Sequence, residues 1–137
     1  MKLILFLDER GGMLFNRRRQ SQDRKAREYI LSMVAGHRLW MNPYSAKQFG
    51  ECDAITVTET PARNAEAEDF VLIENLPVSL SDVSDVVLFL WNTLYPSDVS
   101  FDVASLGKAG FVLQKNEEFA GYSHEKITVE FYRRSPT

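Results

Sequence analysis

Two runs of consecutive apolar residues constrain this chain most: Leu3-Ile4-Leu5-Phe6-Leu7 near the start and Val86-Val87-Leu88-Phe89-Leu90-Trp91 in the second half. Successive side chains of a strand point to opposite faces, so a strand apolar at every position needs cover on both sides. Both runs are strand-sized, far short of the roughly 20 apolar residues a membrane helix requires. Asp8, Glu9 and Arg10 also end the first run too early for the apolar core of a secretory signal. The two runs predict buried central strands in an α/β chain.

The intervening sequence supplies the other layers. Glu9-Arg10-Gly11-Gly12 is turn chemistry, and a loop is expected from there through Gln20. Ser21 and Asp23 are candidate caps for a first helix, in which Ala26, Tyr29, Ile30, Met33 and Val34 form one apolar stripe before Gly36. Arg38 to Met41 reads as a short strand. Asn42-Pro43 then supplies a cap and a first-turn proline for a second short helix closed near Gly50. Ala54 to Thr58 and Phe70 to Ile73 read as strands, Glu59 to Asp69 between them as an exposed loop, and Ser79 to Asp82 as one helical turn. Phe111 to Gln114 and Lys126 to Tyr132, around a turn at Gly121, suggest a hairpin. Strand–helix repeats followed by a hairpin predict a mixed, mostly parallel central sheet with an antiparallel C-terminal edge and flanking helices.

A length of 137 residues and 45% hydrophobic content suit a single domain, 1–137. Cys52 is the one cysteine, so no internal disulfide can form, and a reducing, cytoplasmic setting is expected. A net charge of −3 argues against a surface that is basic throughout. The charges are nonetheless segregated: Arg17, Arg18, Arg19, Arg24, Lys25 and Arg27 stand against Asp23 alone, while Glu59 to Asp85 is mostly acidic. The basic end leaves room for an anionic ligand.

Val83 to Phe101, VSDVVLFLWNTLYPSDVSF, is similar to the dihydrofolate reductase segment in which a strand leads to a Gly-Asp-Thr-x-Phe pattern, with Ser97-Asp98-Val99-Ser100-Phe101 in its place. Phe111 to Arg134 resembles the final hairpin of that family, Met1 to Asp8 its first strand, and Gly11 to Gln20 its active-site loop. The resemblance implies a single reduced domain of that fold. It gives Asp23 the role of the acidic substrate-binding and catalytic residue, and it places Met13, Phe89 and the arginines near a ligand. Departures are equally specific. The cofactor-binding Gly-Arg-x-Thr falls on Asn42-Pro43-Tyr44-Ser45, where only the Ser45 hydroxyl is kept, and the Gly-Gly phosphate turn falls on Glu74-Asn75-Leu76-Pro77. Phe89 stands where the family has a threonine, and the Pro-Trp before the acid is missing. No cofactor is expected, and NADPH in the family's manner is disfavoured. A flavin or other cofactor would be needed for any oxidoreductase chemistry.

The stretches LDERGGMLFNRRRQS and GYSHEKIT also resemble a group of short bacterial proteins, some of them labelled ribonuclease Z. A nuclease of that kind needs an HxHxDH cluster, and this chain has two histidines far apart in sequence, so no metal site is expected.

Each candidate residue carries a plainer alternative. Asp23 is either a ligand-binding acid or a helix cap complementing the helix dipole. Arg17, Arg18 and Arg19 are either an anion clamp or a solvated flank, and three consecutive residues cannot all face one pocket. Trp40 and Tyr44 either stack on a ligand or pack the core. Ser123, His124 and Glu125 are adjacent and cannot converge as a Ser-His-acid set, so His124 reads as a hairpin-turn histidine. The functional readings are a small-molecule or nucleotide-like ligand in the cleft, a protein or nucleic-acid partner on the basic 17–27 segment, and, third, an oxidoreductase that uses a different cofactor with Asp23 as its acid.

Overall fold

A computed structural model describes residues 1–136. Seven strands form the main sheet in the order β5-β4-β6-β1-β7-β10-β9. These are β1 (Lys2–Leu7), β4 (Leu39–Met41), β5 (Ile55–Val57), β6 (Phe70–Leu72), β7 (Asp85–Leu90), β9 (Phe111–Phe119) and β10 (Ile127–Arg134). Strand β1 lies parallel to both β6 and β7, and β4 lies parallel to β5 and β6. Strand β10 runs antiparallel between β7 and β9, which makes the expected mostly parallel sheet with an antiparallel edge.

The apolar runs sit at the centre of this sheet. Leu3, Leu5 and Leu7 face one core with Val86 and Leu88, while Ile4 and Phe6 face the other with Val87, Phe89 and Trp91. The period-two alternation therefore divides one continuous apolar run between two cores. Helix α1 (Arg24–Met33) covers the second core with Ala26 and Ile30, continued by Val34 just beyond its end. Leu106 of α4 (Ala104–Lys108) and the chain around Val78 and Leu80 cover the first.

Three expectations need correction. The Gly11 to Gln20 segment is a hairpin, with β2 (Gly12–Phe15) and β3 (Arg18–Arg19) joined by Asn16 and Arg17, both at positive φ. Strand β2 also pairs with β8 (Val99–Ser100), giving a separate three-stranded sheet. The Glu59 to Asp69 stretch contains a one-turn helix, α3 (Pro61–Asn64), started by the proline at its first turn. Ser79 to Asp82 forms no helix, because Asp82 adopts φ 61° and Leu80 turns inward to the core. The second helix, α2 (Pro43–Ala46), starts as expected behind Asn42, whose side chain accepts from the Ser45 N–H. No helix is long and apolar enough to cross a membrane among the described residues.

Candidate functional site

The carboxyl ends of β1 and β7 meet the start of α1 and the β9–β10 turn. In open α/β sheets this is where ligand sites form. Asp23 stands at the junction, 2% exposed, as the N-cap of α1. One carboxylate oxygen accepts from the N–H groups of Lys25 at 2.8 Å and Ala26 at 3.4 Å, and from the N–H of Tyr122 at 2.9 Å. The other accepts from the Ser123 N–H at 2.9 Å and from the Ser123 hydroxyl at 3.3 Å, and lies 2.7 Å from Nδ1 of His124. Burial pushes the carboxyl upward, but His124 and the amides of Tyr122, Ser123 and Lys25 outweigh it, so the group is held well below the usual carboxylate range.

Because an ionised Asp23 can only accept, the His124 ring carries a proton on Nδ1, and in the uncharged form of the ring Nε2 then presents a lone pair. Two hydroxyls approach that nitrogen, Ser21 Oγ at 2.8 Å and Tyr95 OH at 3.1 Å. The ring also stacks on Trp91, with centroids 4.5 Å apart. Gly121 makes this closeness possible. A Cβ there would lie 2.7 Å from an Asp23 oxygen and 2.8 Å from the His124 carbonyl oxygen.

A second buried acid, Asp8, fastens the loops around this cluster. It accepts from the N–H groups of Arg10 and Gly12 at 2.8 Å, of Tyr95 at 3.2 Å, and from the Gln20 amide at 2.9 Å. Burial opposes its ionisation, yet these donors hold its carboxyl below the ordinary value. A cleft of about 690 Å³ lies beside Trp91, lined also by Asn92, Thr93, Glu125 and Lys126. A smaller groove of about 270 Å³ runs along Phe15, Arg18, Gln20, Tyr95 and Pro96.

The two segments that the family resemblance ties to cofactor phosphates are neighbours in space. The Arg19 guanidinium lies over the Tyr44 ring, 4.4 Å from its centroid, and donates to the Tyr44 carbonyl at 3.1 Å. It also donates through two nitrogens to the Glu74 carboxylate at 3.0 and 3.2 Å. Gln48 adds a donor to Glu74 at 2.9 Å, and the Asn42 amide donates to Asn75 at 2.8 Å. A protein carboxylate thus holds the arginine between these segments, bidentately, as a bound anion would.

The proposed site residues are spread through the fold. Asp23 is buried and engaged as described, and Phe89 is fully buried in the core. Met13 faces the opposite core. Ser45 is fully buried, its hydroxyl without a partner among the described residues, and the Tyr44 hydroxyl accepts from the Arg19 N–H at 2.8 Å. The three arginines diverge: Arg19 turns inward to Glu74, Arg18 lines the smaller groove, and Arg17 lines another with Leu14, Asn75 and Asp98. The Trp40 indole donates to Asp69 at 2.8 Å. Local sequence signals mark Ser21 and Asp23 as caps and His124 as a turn residue, but nothing in the sequence joins them across the 101 positions that separate Asp23 from His124. No group of His, Cys, Asp and Glu suited to a metal ion is found among the described residues.

No family model matches the chain, and no curated protein matches it. In three dimensions the chain is similar to the dihydrofolate reductase of Enterococcus faecalis in a complex with NADP(H) and RAB-propyl, with a TM-score of 0.67 and 11% identity. The match covers 98% of this chain and 95% of that one. Few residues are shared over nearly the full length of both, so the likeness is one of backbone: this chain has the dihydrofolate reductase fold.

Proposed function

We propose that this protein uses the dihydrofolate reductase fold to bind a small anionic, nucleotide-like molecule, and does not reduce dihydrofolate with NADPH. The reading rests above all on Asp23. A carboxylate that already accepts from two helix amides, two turn amides and an imidazole has no lone pair left for a pterin. On the cofactor side, the Glu74 carboxylate on Arg19 opposes a phosphate there through like charge and occupancy. The smaller groove has what an anionic heterocycle needs: Arg18 for the charge, with Phe15 and Tyr95 as flat apolar partners.

Calorimetric titration with NADPH, dihydrofolate and a series of nucleoside phosphates tests this. A nucleoside phosphate should bind saturably and lose affinity in Arg18→Ala, with no NADPH consumed in the presence of dihydrofolate. NADPH oxidation, or failure of the whole series to bind, would overturn it.

A second reading is favoured by Arg24, whose guanidinium lies 4.7 Å from the centroid of the exposed Tyr122 ring, with Arg17, Arg18 and Lys25 also exposed on this part of the chain. Exposed basic side chains with an exposed aromatic ring suit single-stranded nucleic acid or an acidic protein. Salt-sensitive oligonucleotide binding that disappears in the Arg17, Arg18 and Arg24 triple alanine variant would establish the nucleic-acid form. Binding that survives the triple change would exclude it.

A further inference from the structure

The His124 ring nitrogen not used by Asp23 has one lone pair and two hydroxyl neighbours, a surplus with chemical consequences. Ser21 Oγ, at 2.8 Å, is the shorter contact, and Asp23, His124 and Ser21 then form a continuous acid–imidazole–hydroxyl line. Its first two side chains are 0% and 6% exposed, while Ser21 is only half-buried and reachable from solvent. Asp23 is oriented by the amides of Tyr122 and Ser123, and His124 is held from one face by Trp91. The imidazole therefore has a fixed tautomer, a fixed plane and a buried counter-charge, which a general base for a serine requires. Once Ser21 donates to Nε2, the Tyr95 O–H, 3.1 Å from the same nitrogen, is left without that acceptor.

We infer that Ser21 is a nucleophile activated by His124 and Asp23, and that the site acts on small carboxylic esters. Ser21 Oγ attacks the ester carbonyl carbon while its proton passes to Nε2 of His124, and the carbonyl π pair moves onto oxygen, where the Tyr95 hydroxyl donates to it. The pair returns, the bond to the alcohol oxygen breaks, and the Nε2 proton goes to that oxygen, leaving an ester on Ser21. Water then repeats the sequence and releases the carboxylic acid. This activity goes beyond the ligand-binding reading and does not depend on it: the two share Tyr95, but neither Ser21 nor His124 lines the smaller groove.

The full chain would be treated with a fluorophosphonate reporter and mapped by mass spectrometry, and its hydrolysis of p-nitrophenyl acetate measured. A single adduct on Ser21 is expected, absent in Ser21→Ala, with hydrolysis abolished in the same variant. That substitution keeps the Asp23–His124 pair, so circular dichroism should be unchanged. Tyr95→Phe should still form the adduct but lower kcat by roughly a hundredfold, the usual effect of removing one donor to the oxyanion. His124→Gln, which removes the base but leaves the Ser21 hydroxyl in place, should lose both the adduct and the hydrolysis. No adduct on Ser21, or hydrolysis equal in Ser21→Ala and wild type, would overturn the inference whatever the nucleotide titration shows.

Discussion

At Gly121 the space for one hydrogen decides whether the hairpin turn can reach Asp23. Alanine there would force its methyl against the carboxylate and the His124 carbonyl, and overpacking of this kind costs about 1–3 kcal/mol. Gly107, with nothing within 4 Å of an added Cβ, lies in α4, so Gly107→Ala should stabilise by about 0.5–1 kcal/mol. Urea unfolding of the two variants should therefore give shifts of opposite sign. Asp23 also sets an acid limit. Its folded-state carboxyl lies below the ordinary value, so its contribution is present above a pH of about 4 and is lost as pH falls through the folded value. Below a pH of about 4 the stability of Asp23→Asn should fall less steeply than that of wild type, as thermal melts across that range would record. Asp23 was legible in the sequence as a helix cap because capping is a local event. Its turn-side partners were not, because no local pattern specifies a contact 101 positions away.

Among the elements, the β2–β3 hairpin departs furthest from what its sequence suggests. Its strands have 4 and 2 residues, too short for an alternation pattern, and one of β2's partners is the distant β8. The turn is held by Asn16 at φ 54° and Arg17 at φ 65°, the left-handed pair that suits a two-residue hairpin connection. Glycine tolerates that conformation better than arginine, so Arg17→Gly should raise stability by about 0.5–1 kcal/mol. Guanidinium unfolding at equilibrium measures it, and a loss of similar size would show the arginine side chain to be making a compensating contact. The longer elements were legible for the converse reason. Helix α1 carries its stripe over 10 residues, and β9 and β10 pair from Phe111 with Arg134 to Phe119 with Ile127. The one-turn α3 left only Pro61 as its signal.

Across the whole molecule, β1 and β7 are each hydrogen-bonded on both sides and buried between two cores, while β5 and β9 are the rims. Strand β9 is exposed along most of its length and carries Lys115, Glu117 and Glu118, charges that discourage pairing with another chain. Amide hydrogen exchange should be slowest in β1 and β7 and faster in β5 and the three-stranded sheet. Uniform protection would mean that the rims and centre open together. The central strands, the α1 stripe and the closing hairpin could be read from the chain alone, because alternation, helical period and turn chemistry are properties of neighbouring residues. What tertiary structure alone decided is which charged groups remain free. Asp23 meets His124, and Glu74 meets Arg19, across stretches that only the folded sheet brings together. A carboxylate's availability depends on which donors surround it in space, and that set of neighbours exists only once the backbone has closed around it.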